Sequence, residues 1–169
     1  FSYRRDVVKS IVRKAGALQE YRARRDRVKA NDAEGLFQLG LFCEAHGMPV
    51  PAGQEFARAV AANPDHAAAL HYSGVVLYQS GDNAAAVERI RRAIAIDPTP
   101  AEPWANLAPV LEALGRAGAA VHALHEAARR APRDPQILGN LAASQLGLGL
   151  LADAEHSARG SVAIDPTFA

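Results

Sequence analysis

Glycine returns every 34 residues through most of this chain, at Gly47, Gly81, Gly115 and Gly149. Proline keeps the same step at Pro64, Pro98, Pro132 and Pro166. Large residues fall in register at Leu36, Leu70, Trp104 and Leu138, and small ones at Ala52, Ala86, Ala120 and Ala154, then at Ala59, Ala93, Ala127 and Ser161. A period this strict constrains the fold more than any other feature. Each unit must be one small supersecondary piece that buries its apolar face only by stacking on its neighbours. Four units tile residues 33–66, 67–100, 101–134 and 135–168.

Each unit divides into two helices. In the third, Trp104, Leu107, Ala108 and Leu111 recur at steps of three and four, which places them on one helical stripe. Gly115 follows where a helix end needs a left-handed residue. A second stripe runs through Ala120, Leu124 and Ala127, whose small members let two helix backbones approach closely as an antiparallel hairpin. Pro132, like Pro98 in "IAIDPTP", blocks continuation and starts the turn into the next hairpin. The expected class is all-α.

These columns resemble the tetratricopeptide repeat. In the third unit Trp104, Leu107, Ala108, Leu111, Ala120, Leu124 and Pro132 fill the family's positions. In the second, Leu70, Ser73, Gly74, Leu77, Ala86, Ile90 and Pro98 do so. Departures are Cys43, Leu77, Leu111 and Gln145, where the family usually has tyrosine, and Ser161 where it has alanine. The resemblance implies a right-handed superhelical α-solenoid whose inner groove is lined by the first helix of each unit.

Residues 1–32 stand outside the period. Val7, Val8, Ile11, Val12, Ala15 and Leu18 keep helical spacing, and "RVKAN" at 27–31 echoes "AVAAN" at 59–63. The region reads as a basic helical cap or a degenerate repeat with a second helix at the echo. Residues 1–30 hold ten Lys and Arg against three Asp and Glu, whereas residues 33–168 hold no Lys at all. A short basic stretch poor in aromatics reads as a solvated helix face, and no nucleic acid is expected as partner. The N-terminus has neither an initiating Met nor the apolar core of a signal peptide, so the chain is expected to be a piece of a larger, bacterial, cytoplasmic protein. No apolar run approaches the roughly 20 residues of a membrane span.

A search for chemistry yields a negative expectation: no enzyme activity, no cofactor and no metal. His122 and His125 lie one turn apart without a third ligand. Cys43 occupies a core position in its stripe, which suits packing better than nucleophilic attack. What remains is a surface. If positions four, seven, eight and eleven of a unit are buried, position six turns to the groove, and it reads Gln38, Tyr72, Asn106 and Asn140. Asn and Gln carry both donor and acceptor and can serve a peptide backbone without demanding its sequence. The resemblance implies the same, since the O-linked N-acetylglucosamine transferases use an asparagine ladder there. The alternative for Asn106 and Asn140 is that they tie adjacent helices together.

The expected site is a concave groove formed by Gln38, His71, Tyr72, Val75, Tyr78, Asn106 and Asn140, with Glu34, Glu44, Glu102 and Glu112 at its edges. The family's carboxylate clamp for chaperone tails needs Lys and Arg on the first helices, which these units lack, so an uncharged or basic extended peptide is favoured. The expected function is a non-enzymatic scaffold that binds a partner protein or peptide. The alternatives are a substrate-recognition segment of a larger bacterial glycosyltransferase or sulfotransferase, and self-association through exposed ends of the repeat array.

Overall fold

A computed structural model describes the backbone of residues 2–168, with side chains for Val7 and residues 15–167. Among the described residues the structure is helical throughout, with no strand. Helix α1 (Ser2–Arg25) precedes four hairpins: α2 (Ala33–Ala45) with α3 (Pro49–Ala62), α4 (Ala67–Gln79) with α5 (Asn83–Ile96), α6 (Ala101–Ala113) with α7 (Ala117–Arg130), and α8 (Pro135–Gly147) with α9 (Leu151–Ile164). A single 3-10 turn, Pro166–Phe168, closes the chain. First helices begin at Ala33, Ala67, Ala101 and Pro135, each 34 residues after the last.

Local chemistry sets these boundaries. Gly47, Gly81, Gly115 and Gly149 all adopt positive φ, between 65° and 88°, in the turn inside each hairpin. Side chains rarely tolerate that conformation, so glycine is needed there. Asp32, Asp82 and Asp134 cap their helices by accepting the backbone N–H of Gly35, Ala85 and Ile137. Between hairpins the Asp–Pro pairs act as a unit. Asp97 Oδ1 accepts the N–H and hydroxyl of Thr99, and Asp165 does the same for Thr167. The Asx turn redirects the chain while proline prevents helix from continuing.

The two helices of each hairpin pack on one another, and each second helix packs on the first helix of the next unit. Leu36, Phe56, Ala59 and Leu70 are buried in one part of the core, and Ile90, Leu111, Ala120 and Leu124 in the next. Burying each of these leucine, isoleucine and phenylalanine side chains contributes roughly 1.5–3 kcal/mol. At the far end the apolar side chains of Leu146, Leu148, Leu150, Leu151 and Ile164 are exposed. Among the described residues no helix is long and apolar enough to cross a membrane.

One expectation for the N-terminal segment is corrected: the echo at 27–31 forms turn, not a second helix. The helix expected from the spacing of Val7, Ala15 and Leu18 is α1, continuous to Arg25, and these three side chains are exposed. The side chains of Val8, Ile11 and Val12 lie outside the described residues. Instead Ala17 and Tyr21 are buried, and the Tyr21 hydroxyl donates to Glu55 Oε1 at 2.8 Å. Glu55 is 1 % exposed and also accepts from Arg58 at 2.6 Å. Docking α1 thus gives a buried carboxylate its second donor, as such a group requires. Arg24 lies over the Phe42 ring at 4.2 Å and reinforces the contact.

Trp104 is half-buried rather than inside the hairpin core. Its indole N–H donates to the Pro98 carbonyl at 3.2 Å, and the Arg130 guanidinium lies 4.7 Å above its ring. It pins the joint between the second and third hairpins.

Candidate functional site

The first helices α2, α4, α6 and α8 carry no Lys or Arg; the arginines of the four units lie on second helices and in turns. The acidic side chains Glu34, Glu44, Glu102 and Glu112 are all exposed. Glu44 has its pKa raised, first by partial burial and then by the charge of Glu102. The Tyr72 hydroxyl is pushed up by burial, then by Glu102 and Glu44. These causes place Glu44, Tyr72 and Glu102, from three successive first helices, around one acidic stretch of surface.

What each position-six residue does depends on the residue 35 places earlier, position five of the preceding unit. Phe37 meets Tyr72 edge-on, with ring centroids 5.7 Å apart. His71 meets Asn106, whose amide Nδ2 lies 2.9 Å from His71 Nε2. Ala105 has no side chain to reach Asn140. The same slot is thus filled by an aromatic contact, a hydrogen bond and nothing, in that order along the solenoid.

The seven expected groove residues therefore divide. Asn140 and Gln38 are exposed, and Gln38 donates to Glu34 on its own helix at 2.8 Å. Tyr72, Val75, Tyr78 and Asn106 are half-buried. His71 is corrected from groove contact to support: it is 3 % exposed, and burial lowers its pKa to about 4, so the ring is neutral at pH 7. A neutral ring lets Nε2 accept from the Asn106 amide, which leaves the Asn106 carbonyl oxygen for a ligand. Asn106 both ties α4 to α6 and presents an acceptor.

The empty slot opens a cleft of about 800 Å³ between α6 and α8. Its walls include Glu102, Ala105, Asn106, Pro109 and Glu112 from α6 and Gln136, Asn140, Ala143 and Ser144 from α8. Pro109 lies inside α6 and has no N–H, so the Ala105 carbonyl loses its usual helical donor at this wall. Ser144 donates to Glu112 across the floor and holds that carboxylate in place. Sequence reasoning missed the cleft, although small residues at positions five and nine of adjacent units, Ala105, Pro109 and Ala143, are its signature.

Other candidates resolve simply. His122 and His125 are exposed on α7, and among the described residues no group of three or more His, Cys, Asp or Glu is arranged to hold a metal. Cys43 is fully buried, and burial, then the Glu55 charge, push its thiol up to about 11. A thiol so raised is a poor nucleophile.

Stacked helical hairpins with an exposed concave face define an α-solenoid of the kind that serves as a protein-interaction scaffold. The tetratricopeptide repeat family model matches residues 52–101 and 106–167, well over half the chain, and the chain belongs to that family. Solved structures share the fold. A crystal structure of MamA is 22 % identical with a TM-score of 0.78, covering 87 % of each chain. YrrB, described as a TPR protein with an unusual peptide-binding site, is 17 % identical with a TM-score of 0.71, over 80 % of this chain and 70 % of its own. A mutant O-GlcNAc transferase of Thermobaculum terrenum is 26 % identical with a TM-score of 0.63, over 67 % of this chain but only 22 % of its own. No curated protein matches the chain.

Proposed function

We propose that the concave face formed by α2, α4, α6 and α8 holds an extended segment of a partner protein. The observation that carries this reading is the series Gln38, Tyr72, Asn106 and Asn140, one per unit on one face, ending in an exposed Asn140 with no hydrogen-bond partner among the described residues. Residues repeating once per unit can meet groups repeating along an extended chain. Amide side chains serve both its N–H and its C=O groups. Tyr72 and Tyr78 add apolar area with a polar tip. The absence of cations on the first helices weighs against an acidic chaperone tail as the occupant. YrrB, described as peptide-binding, supports the reading by likeness of fold.

The test is selection of dodecapeptides from a random library on the immobilised protein, followed by mapping of the bound peptide with amide chemical shifts. Shifts along α2, α4, α6 and α8 support the proposal. Binders that map to α3, α5, α7 and α9, or to α1, would place the interaction surface elsewhere. The solenoid similarity to an O-GlcNAc transferase keeps a second reading, substrate recognition within a longer enzyme, in which the same groove would hold the substrate polypeptide.

A further inference from the structure

Along the concave face the slot between successive first helices is filled by Phe37 and by His71, then left open at Ala105. The opening is a cleft of about 800 Å³, ample for a long side chain. Its charged wall residues are Glu102, Glu112 and Asp134, all acidic, and no Lys, Arg or His lines it. Among the uncharged groups around it, beside the donor-and-acceptor amides of Gln136 and Asn140, are two further acceptors. Asn106 keeps its carbonyl oxygen free because its amide nitrogen is held by His71. The Ala105 carbonyl lacks its helical donor because residue 109 is proline. The Glu112 carboxylate is oriented by the Ser144 hydroxyl, which leaves its second oxygen for a ligand.

Resting on the reading that the groove holds an extended peptide, we infer that the cleft between α6 and α8 is a specificity pocket for a basic side chain of that peptide, arginine over lysine. The pocket offers several acceptors in different directions around a negative wall. A guanidinium, with five N–H donors in a planar fork, can meet several of them together, whereas an ammonium is a compact point charge. A carboxylate would find three like charges and no cationic donor. An apolar side chain would leave the acceptors unpaired, which costs affinity.

The experiment uses three blocked tripeptides, Ac-Ala-Arg-Ala-NH2, its citrulline isostere and Ac-Ala-Lys-Ala-NH2, titrated into isotopically labelled protein with amide shifts as readout. The arginine probe should shift residues of α6 and α8 around Asn106, Glu112 and Asn140. It should bind about five- to tenfold more tightly than citrulline, as expected of charge-assisted hydrogen bonds at a partly exposed site. It should also bind more tightly than the lysine probe, and equal binding of those two would overturn the preference for the planar fork. The preference should shrink in 0.5 M salt. Glu112→Gln should remove most of it, and Ala105→His, which fills the slot as His71 does one unit earlier, should abolish binding. Equal binding of arginine and citrulline, shifts scattered over the acidic surface, or no saturable shift with the arginine probe would each overturn the inference. The peptide-groove reading fails separately: library-selected peptides that follow the four first helices without a basic residue at the cleft sustain that reading and sink the pocket.

Discussion

Asn106 and Asn140 occupy the same position of adjacent units, yet replacing them with alanine should have different consequences for stability. Asn106→Ala removes the donor from His71 Nε2, a ring nitrogen in a side chain only 3 % exposed. A buried acceptor left without a partner costs about 1–3 kcal/mol. For a protein of this size that lowers Tm by roughly 2–12 °C, at about 2–4 °C per kcal/mol. Asn140→Ala removes an exposed side chain facing Ala105 and should change stability by less than about 0.5 kcal/mol. The same link predicts a pH dependence. His71 has its pKa lowered from 6.5 to about 4 by burial, so the unfolded chain takes up a proton below pH 6.5 that the folded protein refuses until about pH 4. Stability contributed by the neutral ring is therefore complete above pH 6.5. It is lost as pH falls toward 4, by up to about 3 kcal/mol over the window. Urea unfolding of the wild type, Asn106→Ala, Asn140→Ala and His71→Leu, each at pH 7 and pH 4.5, checks both points. Equal midpoints for the two asparagine variants would refute the tie between α4 and α6. An unchanged pH response in His71→Leu would refute the buried neutral ring.

Tyr21→Phe leaves Glu55 with Arg58 as its only donor among the described residues and should cost about 1–3 kcal/mol, seen as faster amide exchange in the second half of α1; unaltered exchange there would contradict the buried bond. Trp104→Ala should cost about 2–3 kcal/mol, below the roughly 3–5 of a fully enclosed aromatic, because the ring is half-exposed and acts at a joint; thermal melts measure it. Gly115→Ala places a side chain at φ 70° and should cost about 1–2 kcal/mol in the same assay. Cys43, fully buried with its thiol raised to about 11, should react with a disulfide reagent only as fast as its hairpin opens, which stopped-flow labelling with and without urea would show.

The hairpins could be read from the sequence because their causes are local and repeated. A glycine at positive φ, a proline in the turn between hairpins and a stripe of Leu and Ala recur at each step of 34, so each copy checks the others. The N-terminal segment has no such copy, and its helical spacing marked a helix without marking the face that is buried. What buries Ala17 and Tyr21 is the chance to satisfy Glu55, a charged residue whose counterparts in the other units are Arg89, Ala123 and Ser157. No period reveals a contact made once. The site was half visible for the same reason. Position six marks the groove in every unit, but the role of each residue there depends on a partner 35 residues back, in a different column. Phe37 with Tyr72, His71 with Asn106 and Ala105 with Asn140 are pairs that appear only when two columns are compared across units.

The central claim is that the concave face of the four first helices is the binding surface. Its most direct measurement is calorimetric titration of a library-selected peptide against the wild type and Asn140→Ala, with melting curves of both. Asn140 makes no hydrogen bond within the protein among the described residues, so its loss tests binding without disturbing the fold. Asn140→Ala should weaken binding by about two- to tenfold, the equivalent of one net hydrogen bond, at an unchanged Tm. Equal affinity for the two proteins, with the same stoichiometry, would contradict it and move the binding surface off the concave face.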